Sequence, residues 1–215
     1  MSHRVLLVDD HPLIREGYAS LIRSERGLEV AGEASSAEEA FDLATRVEFA
    51  VAVVDLTLPG VNGIEFIKRL RSLHPDARIL VVSGHEETLY AERCLRAGAR
   101  GYLMKREAKH AFIPALRTVL AGETYLGRDL RERAAAADGG DDRVPLSDRL
   151  TDREIEVFEH FGRGRSTREV AEVMGLSLKT IESHRANIRQ KLGLGGSAEF
   201  VRRAVLWVED PMGPN

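Results

Sequence analysis

Three uninterrupted apolar runs, Val5-Leu6-Leu7-Val8, Val51-Ala52-Val53-Val54 and Ile79-Leu80-Val81-Val82, constrain this chain more than any other feature. They lack the alternation of a half-exposed strand, so each must be covered on both faces. Two further strand-like runs, Leu28-Glu29-Val30-Ala31 and Gly101-Tyr102-Leu103-Met104, bring the count to five. Amphipathic, helix-length stretches lie at about 12–25, 36–46, 63–73, 86–97 and 107–121. This order predicts a doubly wound α/β domain on a five-stranded parallel sheet, with right-handed crossovers. Pro12 suits a first helical turn, and Gly98 and Gly122 suit positions just past helix ends.

Between about Arg128 and Pro145 the composition changes to RDLRERAAAADGGDDRVP, which predicts a linker. Its run Ala134 to Ala137 favours helix, and Asp138-Gly139-Gly140-Asp141-Asp142 favours a flexible, solvated break. From Ser147 onward the pattern is helical only. Thr151-Asp-Arg-Glu154 and Ser166-Thr-Arg-Glu169 are capping boxes that predict helix starts. Gly175-Leu176-Ser177 separates a helix ending near Met174 from one starting near Leu178, with Ser177 as N-cap. That is helix-turn-helix spacing in an all-α domain. The expected organisation is a domain over 1–125, a linker over 126–146 and a second domain over 147–215.

Composition removes several classes. Of 215 residues 43% are hydrophobic and 30% charged, a globular balance that argues against disorder or a coiled-coil rod. No apolar run nears the roughly 18 residues of a membrane span, and MSHRVLLVDDH has neither the h-region nor the cleavage site of a signal peptide. A cytoplasmic protein with no membrane contact is expected. The single Cys94 excludes an internal disulfide and a cysteine-rich zinc site, and reads as a small buried hydrophobe. The net charge of −3 gives no general affinity for nucleic acid, so any such role must come from local charge.

In an open parallel sheet, ligands bind beyond the carboxyl ends of the strands. Asp9 and Asp10 follow the first run, Asp55 the third, Ser83 ends the fourth, and Lys105 follows the fifth. The fold would bring these five residues to one pocket. Taken singly, an Asp or Ser at a strand end is usually a turn former or cap. Gathered carboxylates repel one another, and a hard cation such as Mg2+ would relieve this while keeping waters for a phosphate. Asp55 could then attack a phosphoryl donor, with Mg2+ and Lys105 neutralising the transferred oxygens and Ser83 donating a hydrogen bond. The product would be an aspartyl phosphate.

With LLVDDHP, DLTLPGVNG, VVSGH and GYLMK in order, residues 3–125 resemble the receiver domains of bacterial two-component response regulators. The resemblance implies that Asp55 is the phosphoacceptor and that Asp9 and Asp10 serve Mg2+, Asp10 as the direct ligand. It makes the Thr57 backbone carbonyl a further metal ligand, Ser83 the switch hydroxyl, Tyr102 the aromatic that moves inward, and Lys105 the conserved-type lysine. Tyr102 also reads as a sheet-edge aromatic packed on helix 86–97. Thr57 and His85 fall where receivers vary and where phosphate lifetime is tuned. Haloacid-dehalogenase-type phosphatases share an Asp, a Ser/Thr and a Lys, but need a second acid where this chain has Thr57. Enzymatic turnover is therefore not expected.

Residues 147–215 carry eleven basic and eleven acidic side chains, yet His160 to Leu192 holds seven basic against three acidic. Such a local excess on a helix-turn-helix suits a phosphate backbone, although on charge alone a small bundle with a solvated face is the favoured reading. On a helical wheel for 177–192, Ile181, Ile188 and Leu192 form the core face. Lys179, Ser183, Ala186 and Gln190 lie opposite, flanked by Thr180, Asn187 and Lys191 on one side and by Glu182 and Arg189 on the other. Arg185 falls near the core edge, and His184, at its other margin, reads as a packed residue.

The stretch LTDREIEVFEHFGRGRSTREVAEVMGLSLKTIESHRANIRQKLGL resembles the LuxR/FixJ-type four-helix DNA-binding domain over about 148–207. Phe158 and Phe161 stand where that family more often has aliphatics. The whole chain is similar to the NarL/FixJ response regulators. That implies a transcriptional regulator, phosphorylated by a sensor histidine kinase, dimerising and binding double-stranded DNA. Base readers would be Glu182, Ser183 and Ala186. Rival readings are a DNA-binding regulator that uses the receiver only to dimerise, a phosphatase-like enzyme, and a helical adaptor without DNA affinity.

Overall fold

In this computed structural model the described residues are 2–58, 61–84, 87–127 and 149–209, of which 87–89 and 209 are described by their backbone alone. Two compact units divide the chain, Met1–Asp138 and Gly139–Asn215. The expected linker from Arg128 on, its alanine run, the break at Asp138 to Asp142, Pro59-Gly60 and His85 lie outside the described residues.

The apolar runs of the first unit become β1 (His3–Val8), β2 (Leu28–Ala34), β3 (Val51–Val54), β4 (Arg78–Ser83) and β5 (Gly101–Met104). They alternate with α1 (Pro12–Ser24), α2 (Ala37–Arg46), α3 (Gly63–Leu73), α4 (Glu87–Arg96) and α5 (Ala108–Leu120). All pairings are parallel, in the order β2-β1-β3-β4-β5. From β1 the chain adds β2 on one side and β3, β4 and β5 on the other, so the crevice between β1 and β3 is the topological switch point, where open α/β sheets take ligands. β3 and β5 are buried throughout, as uninterrupted apolar strands should be. β2 runs to Ala34, three residues beyond the expected Ala31. Among the described residues it pairs only with β1, across a register shift between Val5 and Leu6, and an edge strand accepts Gly32 and Glu33 where a central one would not.

On one face of the sheet Val5, Leu7, Val53, Leu80 and Val82 pack beneath α1 and α5 through Tyr18, Ile22, Phe112 and Leu116. Tyr18 stacks on Phe112 with ring centroids 4.5 Å apart. Cys94 is buried and forms no disulfide. Gly63 opens α3 directly against the segment after β3: a Cβ there would lie 2.5 Å from the Leu56 carbonyl oxygen. Only glycine lets this helix seat so close to the residues that follow Asp55.

The described helices of the second unit are α6 (Asp152–Gly162), α7 (Thr167–Met174), α8 (Leu178–Leu192) and α9 (Ser197–Glu209). Both expected capping boxes form, Thr151 with Glu154 and Ser166 with Glu169, and the Ser177 hydroxyl accepts from Thr180 N–H at 3.1 Å. Gly175, at φ +62°, turns the chain from α7 into α8. Phe158, Phe161, Phe200 and Trp207 build an aromatic core between α6 and α9. No described helix is long and apolar enough to cross a membrane.

Candidate functional site

Val8 of β1 is in register with Val54 of β3, so the next residue on each strand, Asp9 and Asp55, leaves the sheet at the same edge. Backbone bonds hold them there: Asp55 N–H donates to Val8 O at 2.9 Å, and Asp9 N–H to Ala34 O at 3.1 Å. Both carboxylates are buried. Lys105, just past β5, reaches across, its Nζ 2.7 Å from Asp55 Oδ2 and 2.9 Å from Asp9 Oδ2. Its backbone N–H donates to Ser83 O at 2.8 Å, which ties the ends of β4 and β5 together at the pocket. Ser83 and Tyr102 are both fully buried. Thr57 N–H donates to Asp55 Oδ1 at 3.2 Å.

Asp10 is half-buried beside His11, whose Nδ1 lies 2.5 Å from Asp10 Oδ1 and 3.3 Å from Asp9 Oδ1. His11 N–H also donates to Asp9 Oδ1 at 2.8 Å, and Arg15 Nη1 donates to the Asp9 carbonyl at 2.5 Å. Sequence reasoning passed over both residues. The signal for His11 was its place next to the acidic pair; Arg15 lies more than a helical turn further on and carried none.

Burial pushes the Asp55 carboxyl above the usual carboxylate range and Asp9 adds to this, while Lys105 opposes with the smaller effect. Burial alone would lower the Lys105 ammonium, but attraction and hydrogen bonds from Asp55 and Asp9 outweigh it and raise the group. Asp55 is thus raised chiefly by its burial, and Lys105 by the two carboxylates that share it. One ligand atom from each of Asp9, Asp10, His11 and Asp55 fits within 4.8 Å. Three of these are carboxylate oxygens, the donors a hard divalent cation prefers, so the residues fit Mg2+.

On α8, Lys179, Glu182, Ser183, Ala186 and Asn187 are exposed along one side. Thr180 is half-buried, its hydroxyl 2.7 Å from Ser177 Oγ, and the Ser183 hydroxyl donates to Lys179 O at 2.9 Å. Ile181 and Ile188 are fully buried, as the wheel predicts, whereas Leu192 is only half-buried because the helix ends there. Lys191 is exposed and paired with Glu154 of α6. Arg185 sits at the core edge, its guanidinium 4.9 Å from the Phe161 ring centroid. His184 is half-buried, and burial lowers its imidazole, reinforced by Arg153 and Lys191 against Glu154.

Residues 5–117 match the response regulator receiver domain, and residues 148–204 match the bacterial regulatory proteins of the luxR family. The chain belongs to the response regulators with a luxR-family domain. Over 94% of its length it is 33% identical to the virulence factors putative positive transcription regulator BvgA of Bordetella pertussis, covering 96% of that protein. It is 30% identical to the response regulator UvrY of Escherichia coli K12, over 94% of this chain and 93% of the other. A LuxR-family two-component response regulator from Aurantimonas is 37% identical over 63% of this chain and 97% of its own, with a TM-score of 0.60. RcsB of Salmonella enterica serovar Typhimurium, solved on a promoter with the phosphomimetic BeF3−, has the same fold at a TM-score of 0.68. It is 23% identical and covers 95% of this chain and 98% of its own. The family is one of transcriptional regulators, not of enzymes.

Proposed function

We propose that this response regulator takes a phosphoryl group on Asp55 from a sensor histidine kinase with Mg2+ bound, and that phosphorylation favours a homodimer whose two α8 helices read a two-part site in double-stranded DNA. The observation that carries the reading is the Lys105 ammonium within 3 Å of both Asp55 and Asp9 at the switch point of the sheet.

Asp10, Asp9 and Asp55 would hold the metal, with the Thr57 carbonyl as a further ligand. When bound, Mg2+ neutralises charge on the phosphoryl oxygens and orients them. The chain supplies the rest. A carboxylate oxygen of Asp55 attacks phosphorus; the P–O bond forms as the P–N bond to the kinase histidine breaks, and the imidazole leaves. The Lys105 ammonium meets the added negative charge, and the Ser83 hydroxyl donates to a phosphoryl oxygen. Ser83 and the buried Tyr102 then carry the altered packing outward.

We assign the receiver to 1–125, the linker to 126–146 and the DNA-binding domain to 147–215, in a cytoplasmic protein with no membrane contact. The local basic excess from His160 to Leu192 supports DNA as partner. So does the RcsB promoter complex. Lys179, Thr180, Asn187 and Lys191 serve the groove walls, and Glu182, Ser183 and Ala186 the base edges. A recognition helix alone reads only a half-site, so a two-part operator needs a dimer.

The test incubates the full chain with Mg2+ and acetyl phosphate, then measures intact mass, sedimentation and DNA affinity. Labelling should need Mg2+, vanish in Asp55→Asn, and accompany a rise in both dimer fraction and affinity. Equal labelling of Asp55→Asn overturns the assignment of Asp55. A strict monomer on and off DNA overturns the dimer. Unchanged affinity on phosphorylation would favour a regulator that uses its receiver only to dimerise.

A further inference from the structure

Glu182 is an anion on the very face of α8 that would approach DNA, and its surroundings explain how it is tolerated. Its Oε1 accepts from Thr167 Oγ1 of α7 at 3.2 Å and from Arg185 Nη1 at 3.1 Å. Arg185 Nη1 also donates to Thr167 Oγ1 at 3.2 Å, which closes a three-membered ring of contacts between α7 and α8. The Arg185 side chain is only 18% exposed, with its guanidinium 4.9 Å from the Phe161 ring centroid and 5.3 Å from that of Phe200. A guanidinium seated on two aromatic rings is fixed in orientation. One of its nitrogens, Nη1, is turned toward Glu182.

Both donors go to Oε1. Among the described residues Oε2 has no hydrogen-bond partner, and the Glu182 side chain is 57% exposed. The arrangement therefore presents the second carboxylate oxygen on a side chain tethered through the first. In the major groove such an acceptor needs an amino donor. Cytosine offers N4 alone, whereas adenine sets the N7 acceptor beside its N6 amino group, where it repels a carboxylate.

We propose that Arg185 and Thr167 are specificity-determining positioning residues, which set Glu182 Oε2 to accept from a cytosine N4 amino group. This rests on the DNA-binding reading above. Arg185 and Thr167 act through Glu182 and touch no base themselves.

The test selects binding sites from a randomised duplex library with the phosphodonor-treated full chain and its variants. The unmodified chain should prefer cytosine at one position of each half-site by roughly tenfold. Glu182→Ala and Arg185→Ala should each reduce that preference to about twofold or less, leaving preferences elsewhere intact. Thr167→Val, which removes only the hydroxyl, should weaken the same position without unfolding the domain. Arg185→Lys keeps the charge but not the fork and should fail to restore it. In a Glu182→Ala background, Arg185→Ala should change nothing further at that position. The proposal is overturned if Arg185→Ala and Thr167→Val keep the cytosine preference that Glu182→Ala loses, or if Glu182→Ala alters no position. Failure of the unmodified chain to bind any duplex overturns the DNA-binding reading itself, and this proposal with it.

Discussion

Lys191 Nζ lies 2.6 Å from Glu154 Oε2, an ion pair that ties the last turn of α8 to the first turn of α6. The same oxygen accepts Thr151 N–H at 2.8 Å and the Thr151 hydroxyl at 2.9 Å, so the capping box that starts α6 also anchors α8. Burial works to raise the Glu154 carboxyl, but Lys191 and Thr151 outweigh it and hold the group below the usual carboxylate range.

Lys191→Ala should therefore destabilise the second unit by about 1 kcal/mol, a modest figure because the lysine is more than a third exposed and partly screened. A depressed folded-state carboxyl contributes stability that is present above its unfolded value and lost as pH falls through the folded one. The variant should thus unfold at a higher pH during acid titration, followed by the emission of Trp207. Coincident acid transitions for the two proteins would mean that the pair adds nothing.

Gly162 tests how α6 seats on α9. A Cβ there would lie 2.2 Å from the Ala204 carbonyl oxygen and 2.8 Å from its carbonyl carbon, backbone atoms that cannot turn aside. Gly162→Ala should cost at least about 2 kcal/mol and shift Trp207 emission to the red as the aromatic core opens. Gly164 makes the comparison. It has φ +80° and open space around the position, so its alanine variant meets only backbone strain and should cost about 1 kcal/mol.

These contacts mark where sequence reading runs out. The central strands were legible because burial on both faces leaves an uninterrupted apolar run, and the helix starts because a capping box is a local code. Asp9, Asp10, Asp55 and Lys105 were legible as polar residues at strand ends, which the parallel topology gathers. The end of β2 was not, since an edge strand carries no apolar signature across Gly32 and Glu33. A wheel drawn for α8 alone found Ile181 and Ile188, but it could not see Glu154 beneath Lys191 or Thr167 beside Glu182. Those partners arrive from other helices, at separations that no local pattern encodes.

Ionisation and fold stability pull against each other at Asp55. Its carboxyl is raised by burial against the opposing effect of Lys105. A group raised in the folded state contributes stability below its unfolded value and loses it as pH rises through the folded one. At neutral pH, ionised Asp55 is thus a cost to the stability of the first unit. Asp55→Asn removes that cost and leaves Lys105 paired with Asp9 at 2.9 Å, so no charge is stranded. The variant should melt a few degrees higher at neutral pH, a gain on the order of 1 kcal/mol, and the gain should shrink on acidification. Lys105→Met does the reverse. It leaves two buried carboxylates without their shared ammonium, and should cost about 2 kcal/mol or more at neutral pH, relieved as Asp55 takes a proton. Calorimetry of the receiver transition across pH decides between burial and attraction: if Asp55→Asn melts lower at neutral pH, the bond to Lys105 outweighs the burial of the charge.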